Sequence, residues 1–344
     1  MIFVGGLPFS CRYPENENVV SLLENPVLVT SSNSFKATPV KKVSHSQQAD
    51  LKKTAYVKHV YVFQREFATV DPKLVKYVGT DEVTTCVGVA IRNRESGMIS
   101  VAHMDSPRIV EFGLTQMLSL LVDPDVDAIL DVHLIGGFDD EPDKVAHQEA
   151  SQFGSHERRG GYSLPLISKI VEVLVISARK FHLQTFCVLG HNTIRDSGGN
   201  TNPIINGFLV ETFGGAVIPA AFDRNSRCPD ELVRRIRVSV SSLDPQWKGK
   251  LLETYDTHHD KFQIAPCSWS RKWQDYALTL QQYSDLEVLH ECSTSPSAEG
   301  PDFVENERRV FNYLIKFPDW IETFPKNMPR IFERVSDGGW IRCN

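Results

Sequence analysis

Val83-Thr84-Thr85-Cys86-Val87-Gly88-Val89-Ala90-Ile91 is followed, after Arg92, by Asn93-Arg94-Glu95-Ser96-Gly97 and then by Met98-Ile99-Ser100-Val101-Ala102-His103. Two arms rich in β-branched residues, joined by a polar link ending in Gly, read as a β-hairpin. With residues 93–96 as a four-residue loop, paired positions sum to 189 and Cys86 faces His103 across the ladder. Directly opposed residues share a face, with Cβ atoms about 4.5–5.5 Å apart. A slip of one residue would send the thiol and the imidazole to opposite faces. In this register Cys86, Gly88 and Ala90 point one way, and Val87, Val89 and Ile91 the other. The larger residues supply core. The small ones beside the thiol either leave room for a substrate or admit a second sheet.

Around the hairpin, residues 55–63 and 128–138 read as strands, and residues 107–122 as a helix with Pro107 in its first turn. Residues 163–181 form the best amphipathic helix, after the Gly160-Gly161 break. Strand patterns follow at 182–190, 203–211 and 215–222, with Gly214-Gly215 as a turn, and again at 232–240 and 276–282. A late helix at 306–316 stops before Pro318. Strands outnumber helices and often neighbour one another, which predicts an α+β fold. Residues 30–55 are polar and carry Lys41-Lys42 and Lys52-Lys53, as a linker would. The expected organisation is therefore an N-terminal segment over 1–55, partly linker-like, and a single α+β domain over 56–344.

The chain of 344 residues is 41% hydrophobic and 23% charged, which is ordinary globular usage. A formal net charge of −6 argues against nucleic acid as a partner. No stretch approaches the roughly 18 apolar residues of a membrane span. The apolar start, residues 1–8, lacks a basic leader and is cut by Pro8. Seven cysteines, at 11, 86, 187, 228, 267, 292 and 343, form no Cys-x-x-Cys pair. An odd, scattered set points to free thiols in a reducing compartment, the cytoplasm or the nucleus.

A thiol beside an imidazole suits acyl transfer. A free thiol has a pKa of about 8.5, so a nearby base must take its proton at neutral pH. The oxyanion then needs two donors, for which the Cys86 N–H with Thr84 or Thr85 are candidates. Asp105, two residues beyond His103, shares its face and would orient the ring or meet a substrate cation. No metal or cofactor is expected: His258-His259 and His290-x-Cys292 lack a spaced ligand set, and no Gly-rich phosphate loop is present. Cys187 and Cys267 read as core thiols, and Arg234-Arg235-x-Arg237 as a solvated face.

Several segments together resemble the protein N-terminal asparagine amidohydrolase family, cysteine deamidases of the N-degron pathway. They are Tyr61-Val62-Phe63-Gln64-Arg65-Glu66, Gly79-Thr80-Asp81-Glu82-Val83-Thr84-Thr85-Cys86, Ala102-His103-Met104-Asp105 and Val132-His133-Leu134-Ile135-Gly136-Gly137-Phe138. Ile264-Ala265-Pro266-Cys267-Ser268-Trp269, Ser293-Thr294-Ser295-Pro296 and Pro301-Asp302-Phe303-Val304-Glu305 continue the series. They span about residues 55–335; the first 50 residues, Arg158-Arg159-Gly160-Gly161 and 190–203 match no such motif. The Cys-to-His spacing is also similar to that of the chemotaxis receptor glutamine deamidase and the cytotoxic necrotizing factors. These resemblances imply mixed β-sheets packed as a sandwich-like core flanked by helices. They imply Cys86 as nucleophile, His103 as base and Thr80 as an accessory catalytic residue.

The implied reaction turns an N-terminal Asn of a protein or peptide into Asp and releases ammonia. The product would feed arginyl transfer and the ubiquitin ligase machinery. A carboxylate must hold the substrate's free α-amine, with Asp81, Glu82, Asp105 and Asp139 as the nearby choices. Two other readings stay open: a deamidase of internal Gln or Asn side chains, and a non-catalytic adaptor that binds protein N-termini.

Overall fold

A computed structural model of the protein describes residues 1–10, 16–44, 58–140, 161–241, 247, 249–336 and 338–343. Residues 55–57 of the first strand reading, 45–55 of the polar segment, Cys11 and Arg158-Arg159-Gly160 lie outside the described residues.

Among the described residues, one mixed sheet of eleven strands forms the middle layer. From edge to edge its strands are Trp340–Arg342, Arg330–Arg334, Lys261–Ile264, Leu252–Asp256, Glu66–Val70, Ile99–Met104, Val87–Asn93, Ile129–Gly136, Lys180–Cys187, Ile2–Val4 and Leu7–Pro8. A second sheet of five runs Lys41–Val43, Val217–Phe222, Phe208–Glu211, Tyr77–Thr80 and His59–Tyr61. The helices Pro107–Leu121 and Ser163–Ile176 cover the opposite face of the large sheet. The fold is α+β, as the strand pattern predicts.

The alternation along the central hairpin sorts the two cores. Val87, Val89, Ile91, Ala102 and Met104 pack with Val110, Leu114, Ile167 and Ile170 of those helices. Ala90, Ile99 and Val101 point to the other side, with Phe208 and Val78 of the small sheet. Period-two patterning assigns each residue to one layer, and burial of both faces holds the three layers together.

The ladder differs from the expected register in one respect. Val87 pairs with Met104 and Gly88 with His103, so partners sum to 191 rather than 189. The loop is 94–97, closed by Asn93 N–H to the Met98 carbonyl at 3.0 Å. Gly88, not Cys86, therefore faces His103. The shift is of two residues, an even number, so Cys86 and His103 stay on one face as diagonal neighbours. Gly88 serves sheet packing: a Cβ there would lie 2.3 Å from the Phe208 ring.

Two strand readings become helices. Ile236, Val238 and Val240 alternate, yet 231–241 is the helix Glu231–Ser241. Val233, Arg234, Ile236, Arg237 and Val240 are its buried face, and the two arginines hide the helical period. Residues 276–282 fall on the helix Arg271–Leu280 and its end, which buries Ala277 and Leu280 at three-residue spacing. The polar run after Thr30 begins inside the helix Pro26–Ala37, where Leu28, Ser32 and Phe35 are buried. There the linker reading fails because three inward positions suffice to seat a helix.

Gly88→Ala should destabilise the protein by about 1–3 kcal/mol in a urea titration, the usual cost of overpacking. The loss should shrink in a Phe208→Leu background. Equal losses in both backgrounds would mean that the Phe208 ring is not what the new methyl meets.

Candidate active site

Thr80 ends a strand of the small sheet and His103 lies in the centre of the large one. They meet across the sandwich, with Thr80 Oγ1 2.9 Å from His103 Nδ1. Thr80 Oγ1 also lies 3.4 Å from the Asp81 carbonyl, to which its hydroxyl donates. His103 Nε2 is buried with no hydrogen-bond partner among the described residues. No hydrogen bond joins it to Cys86, so the thiol and imidazole share a face without direct pairing. Exposure ranks the three: Cys86 keeps 9%, His103 1% and Thr80 0%. Of the three, the cysteine is the one solvent can reach.

Cys86 stands one residue before the strand Val87–Asn93, at the end of a short, tightly held connection from Thr80. Glu82 turns that connection in the left-handed region, at φ 59°. Its carboxylate is gripped by Arg227 at 2.6 Å and Arg235 at 2.9 Å, which offsets the strain of such a turn. Val83 N–H donates to the Asn206 carbonyl at 2.9 Å. Thr85 Oγ1 lies 3.0 Å from Thr294 Oγ1, and Ser163 Oγ reaches the Thr85 carbonyl at 3.4 Å. Below, Gly136 has φ 106°, and a Cβ there would lie 2.2 Å from Val83 and 2.8 Å from the Cys86 carbonyl. Only glycine lets the strand Ile129–Gly136 pass so close under the thiol loop.

Burial is the first influence on both reacting groups. It pushes the Cys86 thiol well above its ordinary range, and the charges of Asp105 and Glu299 push the same way against Arg65. It lowers the His103 imidazole to about 4, against Asp105, Glu82 and Glu66. At neutral pH the resting pair is thus thiol and neutral imidazole, not thiolate and imidazolium.

The acidic candidates separate by what holds them. Asp81 accepts from Tyr61 Oη at 2.6 Å, Phe222 N–H at 2.7 Å and Arg227 Nη2 at 3.1 Å. Burial raises its carboxyl, with Arg227 opposing. Both its oxygens are used in tying the small sheet to Arg227. Glu82 is committed to two arginines. Asp139 N–H donates to Thr193 Oγ1 at 2.8 Å, beyond the end of the Gly136 strand. Thr84 is buried beside Thr85. Asp105 differs: Arg65 and Gln64 reach only its Oδ2, at 2.8 and 3.0 Å, and Oδ1 is buried without a partner among the described residues.

Several contributors do not appear in the sequence reading of the site. Arg65, at φ 63°, holds Asp105. Glu299 is brought near Cys86 by a loop some two hundred residues further along the chain. Arg234 and Arg237, expected on a solvated face, are fully buried against Glu66 at 2.7 and 2.8 Å. The lone acid Glu66, at the start of the strand Glu66–Val70, was the available signal, since a buried carboxylate demands cations.

The site points to a class: a buried thiol and a neutral imidazole on one face of the large sheet, with Thr80 of the small sheet on the imidazole, suit hydrolysis of an amide. Comparison with known proteins places it further. The family model described as protein N-terminal asparagine amidohydrolase matches residues 49–342. A relative of that name from Arabidopsis thaliana is 51% identical over 352 aligned residues, covering 100% of both chains. Relatives of the same name from Mus musculus and Homo sapiens are 30% and 29% identical, covering 83% of this chain and 84% of theirs. The chain belongs to the protein N-terminal asparagine amidohydrolase family, and is a hydrolase acting on an amide. The plant relative also covers the first 50 residues, where no motif is recognisable. No helix among the described residues is long and apolar enough to cross a membrane.

Asp81→Ala should cost about 1–3 kcal/mol of stability in chemical denaturation, because it leaves the buried Tyr61 hydroxyl and Phe222 N–H without an acceptor, while Arg227 keeps Glu82. A loss under about 1 kcal/mol, with activity gone, would instead mark Asp81 as a group that serves the substrate.

Proposed function

We propose that the protein deamidates N-terminal Asn of proteins and peptides to Asp, with Cys86 as nucleophile, His103 as general base and Thr80 as the residue that fixes the imidazole. The observation that carries this reading is the Thr80–His103 contact, which leaves Nε2 buried and unpartnered on the face shared with Cys86. It falls within a chain whose relatives carry that activity in their names.

For Nε2 to accept a proton, the ring hydrogen must sit on Nδ1. Thr80 supplies the acceptor there, because its own hydrogen goes to the Asp81 carbonyl. The thiol and imidazole rest neutral, so proton transfer from Sγ to Nε2 accompanies attack on the side-chain amide carbon rather than preceding it. The S–C bond forms as the carbonyl becomes an oxyanion, stabilised by the Cys86 N–H and a threonine hydroxyl at 84 or 85. Collapse breaks the C–N bond, and the imidazolium gives its proton to the leaving ammonia. Water, deprotonated by the same nitrogen, hydrolyses the thioester to the Asp carboxylate and restores the thiol. The new N-terminal Asp is suited to arginyl transfer and then to a ubiquitin ligase, in the cytoplasm or nucleus; no disulfide joins the described cysteines, which fits such a compartment.

Ammonia release should occur with an Asn-start peptide and fail with Gln-start, N-acetylated and internal-amide peptides. Turnover of an internal amide would assign a different deamidase, and binding without turnover an adaptor. Cys86→Ala should abolish release while keeping the fold, and His103→Ala should slow it by about 10²–10⁴-fold.

The pH profile follows from the imidazole. Above about 4 the His103 ring is neutral and competent; as pH falls through that value it is protonated and kcat/KM declines. An acid limb near 6.5 would show that the ring is not buried in the working enzyme.

A further inference from the structure

The peptide unit between Thr85 and Cys86 is held at its carbonyl and open at its N–H. Ser163, the first residue of the helix Ser163–Ile176, is fully buried, and its Oγ donates to the Thr85 carbonyl at 3.4 Å. The same oxygen accepts from Phe138 N–H at 3.3 Å, which leaves its own hydrogen for Thr85. Ser163 is anchored in turn. Asp140 accepts from Tyr162 N–H at 2.6 Å and from Ser163 N–H at 3.2 Å. Gly137, at φ 62°, makes room for it: a Cβ there would lie 3.3 Å from Ser163 Cβ and 3.1 Å from Ile167. Strand end, helix and thiol loop thus meet on one hydroxyl. In a trans peptide the C=O and the N–H point in opposite directions. A carbonyl turned to Ser163 therefore turns the Cys86 N–H away from the helix layer, towards the side of His103. That N–H donates to no group among the described residues. A buried amide without an acceptor is rare in a folded chain.

Resting on the deamidation reading above, we propose that Ser163 is a positioning residue: its hydroxyl fixes the Thr85–Cys86 peptide so that the Cys86 N–H is aimed at the oxyanion formed when Sγ attacks the side-chain amide. Ser163 touches neither substrate nor reacting atoms. It acts through the peptide it holds. Without that bond the unit can tilt, and a donor that must be turned during the reaction stabilises less charge than one already aimed. The amide oxygen carries little charge when the substrate binds and a full one in the tetrahedral intermediate. The contribution of Ser163 therefore falls on kcat and not on KM. It is also separate from the imidazole, whose Nδ1 is held by Thr80. The Thr85 side chain is held independently, by Thr294 at 3.0 Å, so loss of the Ser163 hydroxyl loosens the peptide and leaves the loop in place.

The test measures ammonia release from an Asn-start peptide by Ser163→Ala protein. The variant should lower kcat by about 10–100-fold and leave KM within about twofold, since removing an oxyanion donor outright costs about 10²–10³. The acid limb of the pH profile should stay at about 4, because the imidazole is untouched. A peptide beginning with aspartate β-semialdehyde supplies a second readout. Sγ bonds to the aldehyde carbon, the C=O double bond becomes a single bond, and the oxygen takes up the thiol proton. That oxygen lies where the oxyanion would form. Its affinity should fall in Ser163→Ala by about the factor lost from kcat, as expected of a transition-state mimic. A folded Ser163→Ala protein with kcat within about twofold of wild type would overturn the assignment, as would a loss carried by KM or a shifted acid limb. Should the variant not fold, wild-type protein decides. With 15N-labelled cysteine, the Cys86 amide proton should move downfield when the semialdehyde binds, and an unmoved resonance would overturn the assignment equally. Failure of wild-type protein to release ammonia from the Asn-start peptide would remove the deamidation reading instead.

Discussion

The structure depends on a four-residue stack where two sheets meet. Gly88 and His103 are ladder partners in the large sheet, and Phe208 and Thr80 are partners in the small one. Phe208 lies on Gly88, and Thr80 bonds to His103. The absence of a side chain at 88 sets how closely the sheets approach. That approach brings Thr80 within hydrogen-bond reach of a ring rooted in the other layer. Packing and the proposed chemistry thus share one geometric fact: a core glycine sets the spacing that puts Thr80 against His103.

Around that stack the polar groups divide into those that hold and those left unsatisfied. Glu66 with Arg234 and Arg237, and Asp81 with Arg227 and Tyr61, are buried and well partnered. Breaking such a group is costly, because the survivor is left charged in a medium that solvates it poorly. They brace the strand ends from which Arg65, Thr80 and the thiol loop emerge. Among the described residues several buried polar atoms lack partners, and two of them, His103 Nε2 and Asp105 Oδ1, lie on the face of Cys86. Buried polar atoms are seldom left so, and two on the face of a thiol are what the proposed site, which receives a polar group, requires.

Much of this was legible from residue order. Alternation across 83–103 places Cys86 and His103 on one side, and it survives a wrong loop assignment because an error of two preserves parity. An error of one would not have. The exact pairing was not legible, since either four-residue loop closes the hairpin and only packing of Phe208 on Gly88 distinguishes them. The helix Glu231–Ser241 was misread because two of its inward positions are arginines, and polar residues count as outward until a buried partner is known. That partner, Glu66, lies 168 residues before Arg234, beyond any local window. Glu299 is invisible for the same reason: its nearness to the thiol is created by a loop contact between Thr85 and Thr294, and neither residue type announces it.

The electrostatics set how the proposed chemistry must begin. A thiol that is buried, raised above its ordinary range by burial, and faced by two carboxylates is a poor nucleophile toward whatever drifts past. A neutral imidazole lowered to about 4 does not ionise it in advance. On the reading proposed above, the thiol loses its proton only as the bound amide is attacked, and a molecule that does not seat beside His103 Nε2 meets the resting, protonated form.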